Sequence, residues 1–274
     1  MLIIGLTGSI ATGKSTVSSI LSQPPYSLPI VDADLLAREV VEPGTPGYNA
    51  IVKHFASSTP DLLLPISDTM PENGPKGKGR PLDRPALGRR VFGDSEEAKK
   101  NRAVLNGIVH PAVRKAMFFA VVRAWLQGHW AVVMDVPLLF ESRLDRFCGA
   151  VVVVAVSDPA IQMDRLRSRD KHLSVEDAEN RVRSQGDVRD KARRAEFRGK
   201  GRGAVVWNDK GLEELGGEVA RVIGELKAGR PDWWGVLMWL VAPVGLAVAG
   251  WEWWGNLRGE REWKGVEERK RAKL

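Results

Sequence analysis

The stretch LIIGLTGSIATGKST, residues 2–16, carries the strongest structural signal in the chain. Residues 2–6 form an apolar run that is typical of a buried strand. Residues 8–15 then match the pattern G-x-x-x-x-G-K-[ST] at every fixed position, and a helical pattern follows. This context predicts a phosphate-binding loop between a strand and a helix, whose backbone N–H groups face the phosphate oxygens of a nucleotide.

The loop assigns a chemical role to several of its residues. Gly8 and Gly13 allow positive φ and a close approach of the backbone to a phosphate. Lys14 is expected to reach the β- and γ-phosphates of ATP, and the Ser15 hydroxyl is expected to bind Mg²⁺. The predicted nucleotide-binding residues are Gly8, Ser9, Ile10, Ala11, Thr12, Gly13, Lys14, Ser15 and Thr16.

Short apolar runs alternate with helical patterns over the rest of the chain. The runs predict further strands at residues 28–31, 130–134, 150–156 and 204–207. The periodic segments predict helices at residues 35–41, 47–55, 83–127, 159–198 and 213–227. Residues 57–81 are rich in Ser, Pro, Gly and Lys, which predicts a flexible insertion. The alternation predicts an α/β fold with a parallel, doubly wound sheet.

Composition and charge exclude several classes of protein. The chain has 274 residues, a single cysteine and a net charge of +7. One cysteine, Cys148, excludes a disulfide scaffold and a cysteine-based zinc site. The basic residues concentrate in residues 76–115 and 165–202, which favours an anionic ligand. No motif typical of nucleic-acid binding accompanies them, so we expect no nucleic-acid partner.

Among phosphate-loop proteins, the sequence favours a small-molecule kinase. A GTPase would carry N-K-x-D, whereas residues 208–210 read Asn-Asp-Lys. A motor ATPase would normally carry two adjacent acidic residues at a strand end, whereas Asp135 is followed by Val136-Pro137. A kinase needs a carboxylate for the acceptor hydroxyl and arginines for the transferred phosphoryl group, and both are present. A different small-molecule kinase or a non-catalytic nucleotide-binding module remains the alternative.

Five charged residues are candidates for this chemistry, and each also has a structural alternative. Asp32 and Asp34 follow the second predicted strand; either could orient a substrate hydroxyl, and either could cap a helix. Asp135 could hold Mg²⁺ through water or act as a cap. Arg165 and Arg169 lie one helical turn apart, so they could clamp phosphates or form i,i+4 ion pairs on a solvated helix.

In its motifs the chain resembles the dephospho-CoA kinase family over about residues 2–228. The matching stretches are the loop at 6–16, Asp-Ala-Asp at 32–34, Glu-Pro-Gly at 42–44, residues 83–92, Leu-Asn at 105–106, His-Pro at 110–111, Pro-Leu-Leu-Phe-Glu at 137–141, Arg165 with 169–170, residues 181–185 and Asn208. The loop alone is generic, whereas this ordered set is specific to the family. The resemblance implies that ATP phosphorylates the ribose 3′-hydroxyl of dephospho-CoA, the last step of coenzyme A synthesis.

The resemblance also implies domain boundaries and roles for individual residues. Residues 1–228 would form the kinase, with a helical substrate domain at 35–128 and a lid at 159–198. Asp34 would be the catalytic base, within a catalytic set of Asp34, Lys14, Asp32, Arg165 and Arg169. Ser15 and Asp135 would hold the metal. The family's usual Gly-Gly-Ile-Gly reads Gly-Ser-Ile-Ala at residues 8–11, and we expect nucleotide binding to survive because no fixed position of the loop changes.

The C-terminal tail differs in composition from the rest of the chain. Residues 233–251 contain no charge, and tryptophans stand at both ends of this segment. As a helix it would span about 28 Å, against a hydrocarbon core of about 30 Å. These features predict a transmembrane helix that anchors a cytosolic kinase to the mitochondrial outer membrane or the endoplasmic reticulum, followed by a basic tail at 252–274. A surface-lying or buried helix is the alternative.

Overall fold

The structure is a computed structural model that describes residues 1–170, 174–184, 187–228 and 242–271. Its strands are β1 (Leu2–Gly8), β2 (Ile30–Asp32), β3 (Ala131–Asp135), β4 (Ala150–Ala155) and β5 (Gly203–Trp207). They form one sheet in the order β2-β3-β1-β4-β5, and the pairs β1–β3, β1–β4 and β4–β5 are parallel. Every residue of β3 and β4 is buried, as expected for central strands covered on both faces. The predicted α/β fold with a parallel sheet is confirmed.

Ten helices lie among the described residues. They are α1 (Lys14–Ser22), α2 (Ala33–Glu39), α3 (Pro46–Phe55), α4 (Arg84–Val91), α5 (Glu96–Leu126), α6 (Pro159–Arg169), α7 (Val175–Ser184), α8 (Val188–Phe197), α9 (Leu212–Ala228) and α10 (Ala242–Arg271). A short 3₁₀ helix covers Leu144–Phe147. Side chains of Thr45, Asp83, Asp158 and Asp187 accept hydrogen bonds from the first turns of α3, α4, α6 and α8. These caps explain where the four helices begin.

The chain divides into two compact units. One unit comprises Met1–Val31 with Val121–Leu274, and the other comprises Asp32–Ala120. In the first unit, α1 and α9 cover the sheet with apolar side chains such as Leu21 and Val219, which are almost completely buried. This packing fixes the carboxyl ends of β1, β3 and β5, where the candidate residues of the first unit lie.

The second unit has its own apolar core. Ile51 and Phe55 of α3 and Leu62 of the predicted insertion are buried there. The insertion, residues 57–81, contains turns and isolated bridges. It is nevertheless anchored, because the Tyr48 hydroxyl donates to the Arg80 carbonyl at 2.7 Å. The interpretation of this stretch as a purely flexible insertion therefore missed its contribution to the core.

Helix α10 packs on the first unit through a buried asparagine. Asn256 is only 6% exposed. Its Oδ1 accepts hydrogen bonds from Nη2 of Arg198 at 2.8 Å and Nη2 of Arg202 at 2.9 Å. Its Nδ2 donates to the carbonyls of Arg146 at 2.9 Å and Cys148 at 3.0 Å. All four hydrogen-bonding positions of this side chain are therefore occupied by residues of the first unit.

Further contacts lie on the same face of α10. Glu252 accepts from Arg202 at 2.8 Å, and Glu260 accepts from Nε of Arg146 at 2.6 Å. The Trp263 ring meets Phe197 edge to face, with centroids 5.5 Å apart. Contact residues at intervals of three or four form one stripe along a helix. Residues 252–263 are thus attached to the rest of the first unit by mainly polar contacts.

The predicted transmembrane segment, residues 233–251, is not supported. Residues 233–241 lie outside the described residues, and residues 242–251 begin α10. Within the described parts of the chain, no helix combines the length and the apolar character needed to cross a bilayer. Of the predicted basic tail, residues 252–271 belong to α10, and residues 252–263 contact the rest of the first unit. An uncharged, tryptophan-rich composition does not by itself distinguish lipid from protein as the surroundings of a helix.

Candidate active site

The phosphate loop lies where the sequence predicts it, between β1 and α1. Gly13 stands before α1 with φ of 93°, which an L side chain rarely adopts. A Cβ at Gly13 would also lie 2.2 Å from Nδ2 of Asn208, and one at Gly8 would lie 2.7 Å from the Val154 carbonyl. Gly13 is therefore required by its positive φ and by a close contact, whereas Gly8 does not have positive φ and is required by the close contact alone.

Ala11 is the strained residue of the loop. It has φ of 59°, in the left-handed region that glycine adopts freely. For an alanine this conformation costs roughly 1 kcal/mol. Alanine replaces the family's usual glycine at this position, so the departure noted in the sequence falls at a conformationally demanding residue. The fixed positions of the motif gave no sign of this, because the pattern leaves residue 11 open.

Three carbonyl groups of the loop accept hydrogen bonds from side chains. The Ser9 carbonyl accepts from the Thr12 hydroxyl at 2.9 Å. The Ile10 carbonyl accepts from Nε2 of Gln162 on α6 at 2.7 Å. The Thr12 carbonyl accepts from Nδ2 of Asn208, just after β5, at 2.8 Å. The first bond lies within the loop, and the other two hold the loop to α6 and to the residue that follows β5.

The sequence did not point to Gln162 at all, and it gave Asn208 no role. Gln162 lies 152 residues from its partner, and Asn208 lies 196 residues from its own. Both amides are largely buried, at 3% and 8% exposed. A polar residue on a charged helix could have been flagged only by noticing that it belongs to the buried face of α6.

Lys14 and Asp135 form an ion pair at the carboxyl ends of β1 and β3. The Asp135 side chain is only 4% exposed and that of Lys14 is 17% exposed. From the sequence, Asp135 is either a metal ligand or a helix cap. The structure pairs it with the loop lysine, and its role as a metal ligand stays a prediction. The turn after β3 is held through the Pro137 carbonyl. This carbonyl accepts a hydrogen bond from the Thr7 hydroxyl at 2.8 Å and lies 3.4 Å from Nζ of Lys191.

The two arginines predicted to clamp phosphates have other partners in this structure. Arg165 donates to the carbonyl of Asn208 at 2.7 Å. Arg169 pairs with Asp170 through Nε and Nη2, at 3.1 and 3.0 Å, and this hydrogen bonding raises the pKa of Arg169. Neither contact is the i,i+4 pair offered as the alternative. The phosphate-clamping role of Arg165 and Arg169 stays a prediction.

In the second unit, the structure separates the roles of the two neighbouring aspartates. Oδ1 of Asp32 accepts from the backbone N–H groups of Asp34 at 2.8 Å and Leu35 at 3.0 Å. Asp32 is therefore the N-cap of α2. Asp34 lies in the first turn of α2 and is exposed. Of the two carboxylates, Asp34 is the one that the cap does not use.

Asp34 borders a pocket that lies entirely within the second unit. Its volume is about 330 Å³. Two guanidinium groups, those of Arg38 and Arg84, also line it. The remaining lining residues are apolar side chains of the unit: Ala37, Val41, Ile51, Leu82, Leu87, Leu105 and Val109. One carboxylate, two cations and an apolar floor suit a ligand that combines a hydroxyl, an anionic group and an apolar surface.

Comparisons with known proteins identify the family of the chain. A sequence model of the family described as Dephospho-CoA kinase matches residues 2–204. The dephospho-CoA kinase CAB5 of Saccharomyces cerevisiae is 41% identical over 227 residues, which cover 83% of each protein. A dephospho-CoA kinase of Bacillus cereus is 43% identical over 194 residues, covering 71% of this chain and 85% of the relative.

A solved structure extends the likeness to the fold. The dephospho-CoA kinase from Campylobacter jejuni is 25% identical and covers 83% of this chain and 98% of its own, with a TM-score of 0.55. The match of the family model spans β1 through most of the sheet, including the phosphate loop and the strand-end Asp135. The phosphate loop follows the central strand β1, and the family model and the relatives cover most of the sequence. This chain therefore belongs to the dephospho-CoA kinase family, whose members transfer phosphate to an alcohol group.

Proposed function

We propose that this chain transfers the γ-phosphoryl group of ATP to the ribose 3′-hydroxyl of dephospho-CoA, giving coenzyme A and ADP. Family membership and the phosphate loop support the reaction class. The observation that carries the assignment of roles is the pocket of the second unit. There Asp34 stands beside Arg38 and Arg84 over an apolar floor, while the Asp32 carboxylate is occupied as a helix cap.

Lys14 has the electrostatic role in this proposal. Its ammonium group is held beside the loop by Asp135, which is buried. A cation fixed before the substrate arrives loses little freedom when charge develops on the transferred phosphoryl oxygens. The loop N–H groups and the amino end of α1 add to this stabilisation, because both present positive partial charge to the phosphates.

Asp34 has the role of the general base. An exposed carboxylate in the first turn of α2 can accept a hydrogen bond from a substrate hydroxyl and take its proton as the phosphorus–oxygen bond forms. Arg38 and Arg84 supply positive charge for the anionic part of the acceptor. The segment 35–128 is accordingly proposed as the acceptor-binding domain, and the segment 159–198 as the lid.

Mg²⁺ is the metal that this reaction class uses, and the residues present suit it. The Ser15 hydroxyl is exposed at the start of α1, and Asp135 supplies a carboxylate at the end of β3. Hydroxyl and carboxylate oxygens are ligands that Mg²⁺ prefers, with phosphate oxygens and water completing its shell. When bound, the ion would neutralise charge on the β- and γ-phosphates. We propose the Ser15 hydroxyl as its direct protein contact and Asp135, which also pairs with Lys14, as a contact made through water.

Two isosteric variants test the proposal on the full-length chain. ADP release is measured with dephospho-CoA as acceptor, and nucleoside monophosphates serve as alternative acceptors. Asp34→Asn should lower kcat by roughly 10²-fold or more with little change in the KM for ATP. Asp32→Asn should change kcat much less, because asparagine also caps helices well. A greater loss in Asp32→Asn would reverse the assignment of the base, and transfer only to another acceptor would refute the substrate.

Membrane attachment through the tail is a separate proposal that rests on the sequence of residues 233–251. Its strong form is a transmembrane anchor with the kinase in the cytosol. Carbonate extraction of membranes containing the full-length protein tests it. An integral anchor would keep the protein in the pellet after extraction. Quantitative release by carbonate would refute it and favour a peripheral or protein-bound tail.

A further inference from the structure

Buried Gln162 is the side chain near the active site that the reaction above does not use. It lies on α6 and is 3% exposed. Its Nε2 donates to the Ile10 carbonyl at 2.7 Å, at the crest of the phosphate loop. The two residues lie 152 positions apart in the sequence. Because the amide is buried and hydrogen-bonded to one backbone carbonyl, its orientation is defined.

The planar peptide between Ile10 and Ala11 relates the direction of the Ile10 carbonyl to that of the Ala11 N–H. The carbonyl of Ile10 and the N–H of Ala11 belong to one planar trans peptide, so they point in opposite directions. Because the Ile10 carbonyl points to Gln162, the Ala11 N–H is directed away from Gln162 and α6. Inward-facing N–H groups are the donors with which such loops bind phosphate.

The same peptide adjoins the strained residue. Ala11 has φ of 59°, which alanine does not favour by itself. Such a conformation persists where surrounding contacts determine it. The bond from Gln162 fixes the peptide immediately before Ala11, and the bond from Asn208 to the Thr12 carbonyl fixes the peptide immediately after Thr12. The strained turn is held on both sides.

Helix α6 connects these two bonds. Gln162 and Arg165 lie three positions apart, on one face of the helix. Arg165 donates to the carbonyl of Asn208 at 2.7 Å, and Asn208 in turn donates to the Thr12 carbonyl. Helix α6 therefore contacts the loop directly at Ile10 and through Asn208 at Thr12.

We propose that Gln162 is a positioning residue for the nucleotide phosphates: it holds the Ile10 carbonyl so that the Ala11 N–H points into the phosphate site. This deepens the proposed function and rests on it only for the identity of the nucleotide. Gln162 contacts no phosphate itself. Its loss should weaken the binding of ATP and of tripolyphosphate at the phosphate loop and leave the binding of the acceptor unchanged.

The test measures binding by calorimetry with the full-length protein. The probes are magnesium ATP, magnesium tripolyphosphate and dephospho-CoA. Gln162→Met keeps the length of the side chain and removes the donor. Gln162→Glu keeps the shape and places an acceptor against the Ile10 carbonyl. Ser168→Ala, on the exposed side of α6, is the matched control.

In Gln162→Met, the Kd for ATP and for tripolyphosphate should both rise about tenfold, the usual effect of one lost hydrogen bond to a charged group. The rise should be larger in Gln162→Glu. The Kd for dephospho-CoA should stay within about twofold, and Ser168→Ala should match the wild type. Unchanged polyphosphate binding in both Gln162 variants, or an equal loss of dephospho-CoA binding, would overturn the proposal.

A measurement on the unmodified protein covers the case in which the variants do not fold. The Ala11 amide proton should move downfield in the NMR spectrum when magnesium tripolyphosphate binds, as an N–H does when it donates to phosphate. No shift at Ala11 would overturn the proposal. None of these readouts needs phosphoryl transfer. A protein whose ATP binding depends on Gln162 but which fails to phosphorylate dephospho-CoA would therefore refute the proposed function alone.

Discussion

Replacing Asn256 by alanine tests whether the C-terminal helix is part of the kinase fold. The substitution removes the four hydrogen bonds that this side chain makes to Arg198, Arg202 and the carbonyls of Arg146 and Cys148. It leaves the rest of α10 unchanged. Because the side chain is buried, bulk water does not readily replace the hydrogen bonds that its partners lose.

The magnitude follows from what each partner retains. Arg198 also donates to the Cys148 carbonyl at 2.9 Å, and Arg202 keeps its contact with Glu252. These guanidinium groups therefore lose part of their hydrogen bonding. The Arg146 carbonyl loses its bond from Asn256, and an unsatisfied buried group costs about 1–3 kcal/mol. With the partial losses added, we expect a decrease of about 3 kcal/mol in the free energy of unfolding.

Urea unfolding and thermal unfolding of the full-length protein measure this effect. At this chain length, the expected loss corresponds to a decrease in Tm of about 6 °C. Arg261→Ala, at an exposed position of the same helix, is the control and should stay within about 0.5 kcal/mol of the wild type. If Asn256→Ala were as stable as Arg261→Ala, the conclusion that α10 packs on the rest of the first unit through Asn256 would be refuted.

Three further substitutions test the site and the tail. Lys14→Ala should lower kcat by about 10²–10³-fold or more in an assay of ADP release, because it removes the cation that stabilises the transferred phosphoryl group; activity within tenfold of the wild type would contradict that role. Ala11→Gly should leave the free energy of unfolding within about 0.5 kcal/mol of the wild type, since relief of the left-handed alanine offsets the added freedom of the unfolded chain; a loss above about 1 kcal/mol would show that residue 11 does not have positive φ. Burial raises the pKa of Glu260, but hydrogen bonds from Arg146 and Lys264 outweigh it and hold the pKa below its ordinary value of 4.5. The ionised form therefore stabilises the fold above that value, and the deficit of Glu260→Gln in unfolding free energy should be largest near pH 7 and shrink as the pH falls below 4.5; a deficit that does not change with pH would contradict the pairing.

The sequence was sufficient for the phosphate loop and the sheet because their signals are local. A strand, a glycine-rich turn and a helix follow one another within residues 2–22, so a single stretch of sequence determines them. The buried strands β3 and β4 are continuous apolar runs, which is the pattern of a central parallel strand. The N-cap role of Asp32 was one of two alternatives, and only the hydrogen bonds to the first turn of α2 distinguished them.

The remaining features could not be predicted because their partners are distant in the chain. The support of the loop by Gln162 and Asn208 depends on how α6 and β5 meet the sheet. The docking of α10 depends on polar residues, such as Asn256, whose spacing gives no apolar stripe. The lack of charge in residues 233–251 therefore favoured a membrane helix. The contacts that hold α10 lie at residues 252–263 and are made to protein.

The attachment of α10 also limits how this chain can meet a bilayer. Helix α9 is buried in the core of the first unit, and residues 252–263 of α10 are bound to the same unit. A polypeptide that starts and ends on one folded body must cross a membrane an even number of times between those points. A single crossing would place the two ends on opposite faces. An anchored form with one span would therefore have to release α10, so the docked helix and the single anchor are mutually exclusive states of the same tail.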